Sequence, residues 1–109
     1  MINIIEIDKN LTPYRARTTI AGYLYEFEFF YNLEYDYFTV TLWQRGVKLI
    51  ENEKLILGSE LFNDIRYIAT PQARIIPLDV SGEVDRITFN NLGEKVFIYV
   101  IEEGDLVVQ

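Results

Sequence analysis

Asp79, Glu83 and Asp85 lie close together around Gly82. Hard cations bind clustered oxygen ligands of this kind. The spacing does not match an EF-hand loop, however, and Arg86 at the end of the cluster would oppose a cation. A solvated turn is the better reading. Glu26 and Glu28 form a second acidic pair. Paired carboxylates hydrolyse glycosides at separations of roughly 5–9 Å, and an i,i+2 pair on a strand falls near that range. No surrounding residues suggest a cleft, so the pair reads as a solvent-facing acidic stripe, which discourages wrong strand pairing. Ser59, Ser81 and the threonines have no adjacent base.

The chain has no histidine and no cysteine. The usual general base is therefore missing, as are the commonest metal ligands and the parts of the Ser-His-Asp and Cys-His templates. No disulfide or thiolate metal site is available. "SGEVDR" and "LGEK" lack the helix-opening context of a phosphate loop. The expectation is a protein that is not an enzyme and carries no metal or cofactor.

The elements that would position these residues are strands. At 109 residues one domain is expected, 1–109, large enough for one modest core. Half the residues are hydrophobic and 15% are aromatic, a strand-forming palette rather than a disordered one. "YLYEFEFFYN" (23–32) alternates, with Tyr23, Tyr25, Phe27, Phe29 and Tyr31 on one face, which reads as core packing. "YFTVTLWQ" (37–44) alternates after a hairpin loop at 32–36. Further strands are expected at 2–7, 16–22, 47–51, 73–79 and 94–103, with a short apolar piece at 53–58. Gly46 supplies the turn before Val47. Pro77 requires an edge or a bulge. Residues 59–68 read as a short helix or an irregular segment, with Phe62 and Arg66 spaced i,i+4. Residues 88–93 read as one helical or 3₁₀ turn ended by Gly93. The result is an all-β fold, a small sandwich or partly open barrel, with one or two short helical turns.

Net charge is −7, from 10 basic and 17 acidic residues. Arg15 and Arg17 are the densest basic pair, so no basic face is expected for nucleic acid or for an anionic membrane. No apolar run approaches the ~18 residues of a membrane-spanning helix. The opening "MINIIEIDKN" lacks the basic start of a signal peptide. Synthesis in the cytoplasm without Sec-type export is the expectation.

One order of pieces is more specific. "YFTVTLW" (37–43) is followed by a turn at Gly46, then "LIENEKLILGSELF" (49–62), a break at Pro71 and "IPLDVSGEVDRITFNNLGEKVFIYV" (76–100). Over about residues 23 to 101 this resembles the phage tail family named for the baseplate plug of a cyanophage contractile tail. The pattern is carried by Pro77, Leu78, Asp79, Gly82, Arg86, Asn91-Leu92-Gly93 and Val96 to Tyr99. The resemblance implies a non-enzymatic virion structural protein of the tail baseplate, near the hub and tube axis, acting in tail assembly and present in the host cytoplasm until then. It implies contact with hub, tube and baseplate subunits, and a homo-oligomeric ring. Residues 1–22, ahead of the resembling region, would be an extra strand or a docking arm.

In that setting residues 77–100 are corner and scaffold. Gly82 and Gly93 shape turns, Asp79 accepts N–H groups across its own turn, and Arg86 partners Asp79 or Asp85, or grips a neighbouring subunit. Leu106, Val107 and Val108 form an apolar tail suited to subunit contacts. A free-standing small β-barrel that binds carbohydrate or protein through Tyr and Trp43 is the alternative, and a carboxylate hydrolase trails both.

Overall fold

The computed structural model describes residues 2–62, 71 and 73–102. Among these are seven strands: β1 (Ile2–Ile5), β2 (Tyr14–Ile20), β3 (Tyr23–Asn32), β4 (Tyr37–Gln44), β5 (Val47–Lys54), β6 (Ala73–Leu78) and β7 (Phe97–Glu102). They form two antiparallel sheets, ordered β2-β3-β4-β5 and β1-β7-β6. Neither sheet closes on itself or on the other, so the fold is a sandwich rather than a barrel.

Period-two alternation builds the core. In β3 it turns Tyr25, Phe27 and Phe29 inward, the last two fully buried. In β4 it turns Phe38, Val40 and Leu42 to the same side, and the register pairs Tyr31 with Phe38, Phe29 with Val40 and Phe27 with Leu42. Cross-strand pairs of this kind are the stabilising unit of a sheet. The three-stranded sheet presents Ile5, Ile75, Ile98 and Val100 to the same core. Each large side chain fully buried there contributes about 1.5–3 kcal/mol.

Two hairpins have two-residue turns with positive φ at both positions: Ala21 (52°) and Gly22 (87°), and Arg45 (51°) and Gly46 (75°). This conformation matches the twist of the flanking strands. The β3–β4 loop at 33–36 lies at the opposite end of the four-stranded sheet. On β5, Asn52 has φ 53° and the register shifts against β4. The bulge closes over Thr41, which is 2% exposed and whose hydroxyl accepts the Asn52 N–H at 3.0 Å.

The segment after β5 covers the edge of β6. Gly58 N–H reaches the Pro77 carbonyl at 2.8 Å, and Leu61 N–H reaches Ile75 at 2.7 Å. Pro77 is tolerated because its nitrogen faces this edge, away from β7.

Several boundaries differ from the sequence reading. β2 runs from 14 to 20 rather than 16 to 22, because Ala21 and Gly22 are the turn. The pieces at 47–51 and 53–58 are one strand to Lys54, bent at the Asn52 bulge, and then an edge-covering segment. β7 starts at Phe97 because Glu94 to Val96 close the preceding turn. Residues 88–93 form no helix; one helix-like bond, Leu92 N–H to Thr88 carbonyl at 3.2 Å, marks the turn. The 3₁₀ turn lies instead at Lys9–Leu11, capped by the Asp8 carboxylate. Residues 59–62 are irregular; the rest of the 59–68 segment, including Arg66, lies outside the described residues.

Candidate functional site

Asp79 follows β6 and is committed to its own turn. One carboxylate oxygen accepts the Ser81 N–H at 2.9 Å and the Ser81 hydroxyl at 2.6 Å. The other accepts the N–H groups of Glu83 at 2.8 Å and Val84 at 3.0 Å. The Ser81 hydroxyl and these N–H groups hold the Asp79 carboxyl down at about 2. Gly82 completes the turn with φ 72° and an N–H to the Asp79 carbonyl at 3.1 Å. Glu83 pairs with Lys95, whose ammonium is raised by the Glu83 carboxylate. The three carboxylates therefore do not converge. Among the described residues, no group of three or more acidic side chains is arranged to hold a metal ion.

Arg86 pairs with neither Asp79 nor Asp85, which corrects the sequence reading. Asp79 is saturated by its own turn, and Arg86 reaches across the fold to Asp36 in the β3–β4 loop. Its guanidinium lies 3.3 Å from the Asp36 carboxylate and 3.1 Å from the Asp36 carbonyl. The other Asp36 oxygen accepts the Tyr31 hydroxyl at 2.7 Å and the Phe89 N–H at 2.8 Å. The Tyr31 hydroxyl, the Phe89 N–H and the Arg86 charge together lower the Asp36 carboxyl, and the same hydrogen bond raises the Tyr31 phenol. Tyr31 packs against Phe38 and Phe89 at ring separations of 4.9 and 5.0 Å. Lys9 bonds the Asn90 carbonyl at 3.1 Å and lies over the Phe89 ring. One corner thus ties the 3₁₀ turn, the β3–β4 loop and the 79–96 segment together.

Asn91 organises the rest of that segment. Its side chain accepts the Thr88 N–H at 2.8 Å and donates to the Arg86 carbonyl at 2.8 Å. Its carbonyl accepts the N–H groups of Glu94, Lys95 and Val96. Gly93 takes φ 85° inside this turn, with open space where a Cβ would stand. Leu92 and Val96, on either side, are buried in the core. Asp36 and Phe89 escaped the sequence reading, and Tyr31 was read only as core packing; the Asp36 contacts to Arg86 and Phe89 join positions some fifty residues apart, and only the hairpin loop position of Asp36 marked it as a residue suited to positive φ.

The Glu26–Glu28 pair is compensated across β2. Arg17 lies 3.0 Å from Glu26, and Arg15 lies 3.1 Å from Glu28. The Trp43 indole donates to Glu28 at 3.0 Å. Arg15 and Lys48 lie over the Trp43 ring, 4.7 and 5.3 Å from its centroid. Both carboxylates are engaged in a charge ladder, and cations occupy the ring on which a sugar would stack. The outer face of the other sheet is different: Ile76, Leu78, Phe97, Tyr99 and Ile101 lie on it together with Arg74.

Gly46 sits in the β4–β5 turn, and Arg86 is half exposed at the corner. Leu106, Val107 and Val108 lie outside the described residues. Residues 2–20 supply β1 and β2, with Ile5 and Ile20 buried in the core.

No curated protein matches the chain. A family model described as cyanophage baseplate Pam3 plug gp18 matches residues 2–103. The match takes in all seven strands and the corner, and it includes most of the first 22 residues, which the sequence reading had set ahead of the resembling region. With nearly the whole sandwich inside the match, the chain belongs to this baseplate plug family.

Proposed function

We propose that the protein is a non-enzymatic structural component of a phage tail baseplate, placed near the hub and tube axis and acting in tail assembly. The observation that carries this reading is the family match over residues 2–103. The chemistry of the described residues supports it. Asp79, Glu26 and Glu28, three of the carboxylates whose spacing suggested chemistry, are engaged in a turn and a charge ladder.

In this reading the chain is one β domain, and residues 1–22 help to dock it. Gly46, Gly82, Gly93 and Asp79 set the turns that shape its surface. Arg86 and Leu106 to Val108 face neighbouring subunits. Its partners are hub, tube and other baseplate proteins and further copies of itself in a ring, with no nucleic acid or membrane. It passes from the host cytoplasm into the virion. Mass spectrometry of purified virions and isolated tails tests this directly. The protein is expected in both fractions at a fixed ratio to the tube protein. Its absence from virions that infect normally would overturn the reading.

A further inference from the structure

The two ends of the four-stranded sheet carry complementary surfaces. At one end the β2–β3 and β4–β5 turns lie side by side, and a shallow depression between them is lined by Gly22, Tyr23, Leu24 and Gln44 with the charged residues Arg17, Glu26 and Arg45. Tyr23, Leu24 and Val47 are 53%, 53% and 59% exposed. Arg45 has no ion-pair or hydrogen-bond partner among the described residues. The Arg17 side chain, 74% exposed, is paired with Glu26 at 3.0 Å in the same depression, so Arg45 is its uncompensated cation. At the other end the β3–β4 loop exposes Leu33 at 83% and Tyr35 at 68%. Glu34 between them and Asp85 on the neighbouring segment are exposed carboxylates without partners among the described residues. Both ends are apolar at the centre. Among the described residues the first end carries the unpartnered Arg45 guanidinium beside the Arg17–Glu26 pair, and the second carries the unpartnered Glu34 and Asp85 carboxylates beside the Arg86–Asp36 pair.

We infer that copies of this chain associate head to tail, with the Tyr23–Leu24–Val47 end of one copy seated on the Leu33–Tyr35 end of the next. A two-fold contact between like ends would oppose Arg45 to Arg45, or Glu34 to Glu34. A head-to-tail contact sets Arg45 against Glu34 and Asp85, and buries apolar surface on both sides. Such a heterologous contact propagates until its rotation closes it into a ring. The inference deepens the ring of the proposed function and rests on that reading for closure alone.

The absence of cysteine from the chain makes the test clean. Val47→Cys and Leu33→Cys change exposed residues and are made as separate proteins. The two are mixed under mild oxidation. The expected product is the mixed 47–33 disulfide, severalfold above either homodisulfide. Arg45→Glu in the first protein lowers that yield severalfold, and Glu34→Arg in the second restores it. Random proportions of the three products, homodisulfides alone, or no disulfide at all would overturn the head-to-tail contact. Those outcomes leave the baseplate reading standing if the protein is still found in virions. Loss of the protein from virions with the mixed disulfide intact sinks only the baseplate reading.

Discussion

The two ends of the four-stranded sheet are built on opposite plans. The end with the β2–β3 and β4–β5 turns is set mainly by local backbone geometry, with one tie to the other sheet. Each turn is set by two residues of positive φ, and the Ala21 N–H donated to Glu102 at 3.2 Å ties it to the other sheet. The end with the β3–β4 loop is long-range. Asp36 there gathers Tyr31, Arg86 and Phe89, and the Tyr31, Phe38 and Phe89 rings pack against one another beside it. The difference separates two jobs. The corner holds the sandwich together, and the bare turns leave side chains free for other molecules. Substitutions at the corner should therefore cost stability, and substitutions at the turns should cost association.

Phe38→Ala should have the largest effect. Phe38 is fully buried, stacks with Phe89 and packs at a tilt against Tyr31, so the loss is expected at about 3–5 kcal/mol in chemical denaturation. Val47→Ala at the turn end should stay within about 0.5 kcal/mol. Similar losses for the two would erase the distinction between the ends.

Asp36→Ala comes next. It removes the acceptor of the Tyr31 hydroxyl and of the Phe89 N–H together with the partner of Arg86. Its melting temperature should fall further than that of Arg86→Ala, which loses one arm of the corner. A larger fall for Arg86→Ala would mean that the ion pair, not the hydrogen bonds, holds the corner.

Acid should act on the same end. The folded Asp79 carboxyl sits at about 2 against an ordinary 3.8, and Asp36 is lowered as well. A depressed carboxyl contributes stability that is complete above its unfolded value and is lost as pH falls through its folded value. Denaturation midpoints should therefore drop between about pH 4 and pH 2. In Asp79→Asn, whose amide cannot accept both sets of N–H groups, this acid-dependent loss should shrink. An unchanged acid limb in that variant would remove Asp79 from the account.

Gly93→Ala should cost roughly 1–2 kcal/mol, the price of a side chain at positive φ, since the space beside Gly93 is open. Arg45→Ala should have the smallest effect of all on the melting temperature while lowering association between copies. A destabilised Arg45→Ala would show that the turn end has a structural task.

Local features were legible in the sequence and long-range contacts were not, although the Ala21–Gly22 turn was read as strand. Strict alternation placed β3 and β4 at the observed residues, because side-chain period and burial coincide there. Gly46, Gly82 and Gly93 were readable as turns since positive φ selects glycine. Asp79 could be read as a turn acceptor because its donors lie within five residues. Arg86 found its partner 50 residues away, and proximity in sequence pointed to the wrong carboxylates. The outer-face ladder was hidden for a related reason. Glu26 and Glu28 looked like a bare stripe until the β2–β3 register set Arg17 and Arg15 opposite them.

The most direct test of the central claim is an electron-microscopy reconstruction of the baseplate in the intact virion. The account expects density for this two-sheet sandwich around the tail axis beside the hub, in symmetry-related copies. A baseplate resolved well enough to trace every subunit, with no density that fits the sandwich, would contradict it.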